Sequence, residues 1–515
     1  MKKHIGWVLS LGVLLNSCDV NNELSEIKGA EETEKVALQV TNLDLSKYIA
    51  VGASFTAGFT DGALFIKGQE NSFPNILAGK FAMANGGAFN QPLMSDNIGG
   101  LISGTTVVQE PRFYFNGAGP ARLDKIPTTQ VGVPATGAPD FHNYGIPGSK
   151  SFHLLASDYG NPAGLATNTA NPYFVRMRPA ASSSVIDEVV AKEPTFFTLS
   201  EVGGNDVLHY AMEGGTGEDQ TGNSDVNTYG AKDITDPDTF ARTYSLIVDA
   251  LTSGGAKGVL TTIPYVTSLP YFTTIPYNPV PLDAATAELA NQGFEEYNTG
   301  IQQAFSYLVD NALITQEKAD TEIAKRTISF TEGNGNPVVI LDESLTDLTA
   351  FNSKLLNYRQ TTANDLILLT AKPIIGTAVV GNPTKVYGVS EPLEDRWVLT
   401  ADEKSKVITA TDLYNTSIRN IAQTKDLALA DIKATLEQAS KSGVAFDEFT
   451  MNTSLVSGGL VGLDGIHLTA RGYAFMANTI LKAIDAKYAS NFTVATNTLA
   501  KAEDFPTNYS PTLLP

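Results

Sequence analysis

The sequence predicts an α/β protein: a three-layer α/β/α sandwich around a parallel sheet, enlarged by insertions. Three observations carry this expectation. Short apolar runs at 48–51, 195–200, 258–264 and 427–430 alternate with stretches of helical period, the spacing of strand–helix units that build a parallel sheet. Two of these runs end alike, in glycine followed by polar side chains: Gly52-Ala53-Ser54 and Gly203-Gly204-Asn205-Asp206. The carboxyl ends of parallel strands form the edge where ligands bind. Long Gly-, Pro- and Asn-rich stretches interrupt the alternation without repeating, and 515 residues leave room for one large decorated domain.

Composition narrows the classes. Hydrophobic residues at 43% and charged residues at 17% fit a globular chain rather than a disordered one. A net charge of −20 with no Lys/Arg cluster argues against nucleic acid as a partner. Lys2-Lys3 followed by the apolar Ile5–Leu15 reads as a signal peptide over 1–17, too short to span a bilayer. Leu15-Asn16-Ser17-Cys18 is similar to a bacterial lipobox, and Cys18 is the sole cysteine. The similarity implies cleavage before Cys18 and its lipidation, hence an exported, membrane-anchored lipoprotein, periplasmic or on the cell surface. An ordinary secretory signal with a chance cysteine is the alternative. No later run has the roughly 18 apolar residues of a membrane span, so lipid is the expected membrane contact. Residues 18–43, polar and acidic, read as a tether.

The main domain is expected over 44–490, with a C-terminal tail over 491–515. After the first strand, the spacing predicts a helix from about Pro74 to Gly86. Residues 85–140 form a first insertion with short strands at 101–108 and 112–115, of the kind that packs over a site edge. Phe141–Leu155 is a Gly/Pro turn running into a helix start. A short helix at 184–191 precedes the 195–200 strand, and an amphipathic helix at 240–253 precedes the 258–264 strand. From Asp283, a candidate N-cap, the pattern is helical to about Lys325; it then becomes irregular, with a strand at 338–341, and 283–396 is a second insertion. Helices at 400–425 and 431–442 bracket the last strand. A final helix spans about Ala470–Tyr488.

Four stretches carry chemistry, and each also has a plain structural reading. Ser54 stands at a strand end or caps the next helix. In Asn143-Tyr-Gly-Ile-Pro-Gly148, glycine exposes a backbone N–H to a bound group or only makes a turn. Asn205 offers a neutral donor where negative charge develops, while Asn205 and Asp206 are also turn and cap formers. Asp464-Gly-Ile-His467 puts a carboxylate within reach of an imidazole, or supplies a cap and a structural histidine.

Taken in order, these four stretches resemble the four blocks of the SGNH (GDSL-type) hydrolase superfamily, each of which contributes one residue: serine, glycine, asparagine, histidine. Val51-Gly52-Ala53-Ser54 matches the first block, Asn143–Gly148 the second, Gly203–Asp206 the third and Asp464–His467 the last. The blocks bracket nearly all of the chain after residue 43 but cover little of it, and the two insertions have no counterpart. Where the family has Gly-Asp-Ser-Leu this chain has Gly52-Ala53-Ser54-Phe55. The missing carboxylate is no triad member, but hydrogen bonding around the loop is left open.

The resemblance implies a serine esterase or lipase that hydrolyses carboxylic esters through an acyl-enzyme. Ser54 is the nucleophile, His467 the base and Asp464 its orienting carboxylate; the Ser54 and Gly148 N–H groups and the Asn205 amide form the oxyanion hole. The expected partner is an ester substrate: a lipid, a short-chain ester or an acetylated glycan. No cofactor and no metal are expected; His142, His153 and His209 lack metal-ligand spacing, and each is left a role at the rim. No serine sits in Gly-x-Ser-x-Gly, which argues against the α/β-hydrolase plan. The alternative from another class is a non-catalytic glycan- or lipid-binding lipoprotein on the same scaffold.

Overall fold

The structure, a computed structural model, describes residues 35–180 and 182–513. The expected signal peptide, its lipobox and Cys18 lie outside the described residues.

Five parallel strands form the central sheet: β1 (Tyr48–Gly52), β2 (Asn143–Gly145), β3 (Phe196–Ser200), β4 (Lys257–Thr261) and β5 (Ala428–Ala430). Their order is β5-β4-β3-β1-β2, one of the common doubly wound orders, in which the chain switches sides after its first strands and opens a crevice at that point. β1 and β3 are buried along their whole length, as continuous apolar strands of a sheet covered on both faces should be. Four of the five follow the sequence pattern. β2 does not: Asn143-Tyr144-Gly145 has no apolar run, and it is a strand because β1 offers it an edge, pairing Ala50 with Asn143 and Gly52 with Gly145.

The helices include α1 (Ser54–Ala57), α2 (Phe73–Ala82), α3 (Val185–Val190), α4 (Asn205–Met212), α5 (Pro237–Thr252), α6 (Ala284–Asp310), α7 (Gln316–Arg326), α8 (Ala401–Thr424), α9 (Ile432–Lys441) and α10 (Ala470–Tyr488). Several of their starts are capped locally. Asp236, Asp283, Asp431 and Thr469 accept N–H groups of the first turn, and Ser184 and Thr400 form capping boxes. α10 packs on α2 and β5, while α5 packs on α3 and α8.

The second insertion builds its own core. Ile301, Phe305, Val338, Ile340, Ile367 and Leu393 are fully buried in a cluster separate from that of the sheet. Inside it, the Arg359 guanidinium binds Asp365 through two bonds (2.7 and 2.9 Å) and also pairs with Asp342. The first insertion contributes two hairpins, 101–109 and 113–122.

Residues 18–34 of the expected tether lie outside the described residues; residues 35–43 pack against the C-terminal segment and the core. Val36 N–H donates to Thr496 (3.0 Å), Gln39 N–H to Asn491 (2.7 Å), and Leu38, Val40 and Leu43 lie against the core. Arg112, fully buried, donates to the carbonyls of Asn97 (2.7 Å) and Ser510 (2.7 Å), which stitches the last residues to the first insertion. Among the described residues, no helix is long and apolar enough to cross a membrane.

Candidate active site

Neighbouring parallel strands deliver the first three blocks to one edge. β1 lies between β2 and β3, in register at Gly52, Gly145 and Ser200. Ser54 follows β1 by two residues, Gly148 follows β2 by three, and Asn205 opens α4 just beyond β3. The loop before α10 brings the fourth.

There the side chains form one hydrogen-bonded chain. His467 Nε2 lies 2.9 Å from Ser54 Oγ, and His467 Nδ1 lies 2.8 Å from Asp464 Oδ2. Asp464 Oδ1 accepts the N–H groups of Ile466 (2.8 Å) and His467 (2.9 Å), while Oδ2 also accepts the Gly62 N–H (2.7 Å). Burial alone would raise this carboxyl, but the imidazole and the backbone donors outweigh it and hold it below the ordinary aspartate value. Asp464 therefore stays ionised and fixes the ring. Phe55 and Phe59 pack against the imidazole, with ring centroids at 5.7 and 4.5 Å. His467 keeps 13% of its side chain exposed, so solvent reaches the Ser54–His467 pair from one side.

The cap readings raised for Ser54, Asp464 and Asp206 do not hold. Ser54 is the first residue of α1, not its cap; that position is Ala53. Thr469 caps α10, not Asp464. Asp206 does not cap α4, whose cap is Gly204. Its buried carboxylate instead accepts the Ser151 N–H (2.8 Å) and hydroxyl (2.6 Å), tying the third block to the second.

The groups expected to form an oxyanion hole are the Ser54 and Gly148 N–H groups and the Asn205 amide. Asn205 Nδ2 gives one hydrogen to Ser149 O (2.9 Å), and an amide carries two. Gly148 adopts φ of 79° with open space where a side chain would begin, a conformation that glycine adopts without strain. Neither the Ser54 nor the Gly148 N–H donates to a backbone acceptor among the described residues.

One residue of the site is absent from the motif pattern. Glu201, with φ of 46°, stands at the end of β3. Its Oε1 accepts the N–H groups of Ala53 (2.7 Å) and Thr56 (2.9 Å), and its Oε2 accepts the Thr56 hydroxyl (3.1 Å). Thr56 is the third residue of α1, whose N–H an N-cap carboxylate at position 53 would take. Ala53 offers none, so Glu201 caps α1, which Ser54 begins, from the neighbouring strand. Burial pushes Glu201 up to about 7 against the bonds that favour its charge. The signal was a lone charged residue closing an apolar strand. A second missed group is Asp61. Its Oδ1 accepts the Leu463 N–H (2.8 Å), lacing the turn after α1 to the loop of Asp464, and burial, reinforced by the Asp464 charge, pushes it up to about 7.

The other described histidines lie outside this hydrogen-bonded chain. His142 Nδ1 accepts the Asn90 N–H (3.0 Å), His153 Nδ1 accepts the Lys150 N–H (3.0 Å), and burial lowers His153 and His209 to about 4.

Compared with protein-family models, curated proteins and solved structures, the chain gives no significant match.

Proposed function

We propose that this protein is a GDSL-type serine esterase on a three-layer α/β/α fold, exported and anchored through lipid on Cys18. The observation that carries the reading is the unbroken chain Asp464–His467–Ser54 at the carboxyl edge of a parallel sheet. A serine hydroxyl is a poor nucleophile until a base takes its proton. His467 Nε2 stands where it does so as Ser54 Oγ attacks the ester carbonyl. Asp464 keeps the Nδ1 hydrogen in place and stabilises the imidazolium that forms. The tetrahedral oxygen receives the Ser54 and Gly148 N–H groups and the second amide hydrogen of Asn205. His467 returns the proton to the departing alcohol, leaving an acyl-Ser54 ester. Water then attacks the acyl carbon and gives a proton to His467, which passes it to Ser54 Oγ as the acid leaves. The substrate is a lipid, a short-chain ester or an acetylated glycan.

The test is turnover of p-nitrophenyl acetate and longer acyl analogues by the purified chain. Ser54→Ala is expected to abolish it with an unchanged circular dichroism spectrum. Undiminished hydrolysis by that variant would exclude Ser54 as nucleophile; an inert wild type across the acyl series would exclude the esterase.

A further inference from the structure

The second insertion meets the main domain at three carboxylates remote in sequence from the site above. Glu343 follows the strand Val339–Leu341, Asp395 begins the 3-10 turn Asp395–Trp397, and Glu403 lies in the first turn of α8. One oxygen from each lies within 4.8 Å of the others. Nearby cations are engaged elsewhere: Arg396 with Glu394 (2.8 Å), and Arg359 with Asp342 and Asp365.

Clusters of acidic side chains are common on surfaces and mean little there. This one reaches inward. Glu403 is 3% exposed. Its Oε2 accepts the Thr400 N–H (2.7 Å) and hydroxyl (2.8 Å), but its Oε1 is buried and meets no donor among the described residues. Asp395 Oδ1 is likewise buried without a donor. An ionised carboxylate oxygen in that position is costly unless a positive charge meets it. The Gly214–Gly215 turn after α4 closes over the group. Gly215 has φ of 84°, and a Cβ there would stand 2.2 Å from Glu403 Oε1. No side chain fits between this turn and the carboxylate.

We propose that Glu343, Asp395 and Glu403 bind a calcium ion. The donors are all carboxylate oxygens, which select hard cations. Magnesium usually keeps several waters and takes one or two carboxylates, whereas calcium takes several, so a set of three carboxylates suits calcium. Glu343 is exposed, which leaves a side on which water completes the six to eight ligands calcium takes. The ion would join the insertion, through Glu343 and Asp395, to α8 of the main domain, against the turn that ends the helix begun by Asn205. The sequence reading sought metal ligands among histidines, and an all-carboxylate set drawn from three separate segments escaped it.

The test is calorimetric titration of the EGTA-treated full chain with CaCl2, alongside thermal unfolding. One ion per chain is expected, with a rise in Tm of about 3 °C or more at saturation. Glu343→Gln, at an exposed position, is expected to weaken binding at least about tenfold, the scale of losing one charged ligand. Glu403→Gln keeps an oxygen for the Thr400 cap and is expected to abolish binding. Glu317→Gln, an exposed change in α7, should leave binding intact. Absence of heat and of any Tm shift up to about 5 mM CaCl2, the weak end of protein calcium sites, would overturn the proposal, as would unaltered binding by Glu343→Gln and Glu403→Gln. Tighter binding of MgCl2 than of CaCl2 would overturn the choice of ion.

Discussion

Glu201 Oε1 accepts the Thr56 N–H at 2.9 Å across 145 positions of sequence, so the helix that begins with Ser54 is capped by the strand beside it rather than by its own N-cap residue. This makes Glu201 a positioning residue for the nucleophile. Glu201→Ala strands the Ala53 and Thr56 N–H groups in a buried site, at about 1–3 kcal/mol each. The variant should lose about 2–5 kcal/mol in urea unfolding and fall in kcat with KM little changed. Glu201→Gln, which keeps an acceptor oxygen, should recover most of both. Wild-type stability in the alanine variant would refute the cap.

The same carboxyl predicts a pH dependence. Its folded value of about 7 lies above the ordinary 4.5, so between those values the folded protein holds more proton than the unfolded chain. Stability is then fully present below about pH 4.5 and is lost as pH rises through 7, by about 3 kcal/mol at most for a shift of this size. Asp61, raised to about 7, acts in the same direction. Glu201→Gln has no such proton to release. Its stability relative to wild type should improve between about pH 5 and pH 8; a difference independent of pH would count against a buried, raised Glu201.

On the proposed mechanism, Ser54, His467 and Asp464 should behave as one unit. Ser54→Ala and His467→Ala are each expected to lower kcat by about 10⁴–10⁶, and the double variant to be no worse than either, because neither group works without the other. Asp464→Asn should cost up to about 10⁴ in kcat by favouring the wrong imidazole tautomer, and it places an amide against the Gly62 N–H that Oδ2 now accepts. Additive losses in the double variant would mean that the hydroxyl and imidazole act separately.

Asn205→Ala removes one oxyanion donor and should reduce kcat by about 10²–10³ with little change in KM. It also leaves the Ser149 carbonyl without the 2.9 Å bond it now receives. The KM-to-kcat split, measured on one p-nitrophenyl ester, separates a donor to the transition state from a mere substrate contact, which would appear as a raised KM.

Sequence alone determined the strand–helix alternation and the identity of Ser54, Gly148, Asn205, Asp464 and His467 as candidates. Those signals are short-range: an apolar run, a glycine, then a reactive side chain at the strand end, or a carboxylate three residues before an imidazole. Tertiary structure alone decided which of these residues meet. Ser54 and His467 are 413 positions apart and meet at 2.9 Å because parallel pairing aligns the ends of β1, β2 and β3 and α10 packs back on the sheet. β2 exists only because β1 presents an edge to it. The role of Glu201, the separate core of the second insertion and the meeting of Glu343, Asp395 and Glu403 have the same character. Each depends on groups whose partners lie elsewhere in the chain, and a buried polar atom is defined by what surrounds it in space, which no local pattern records.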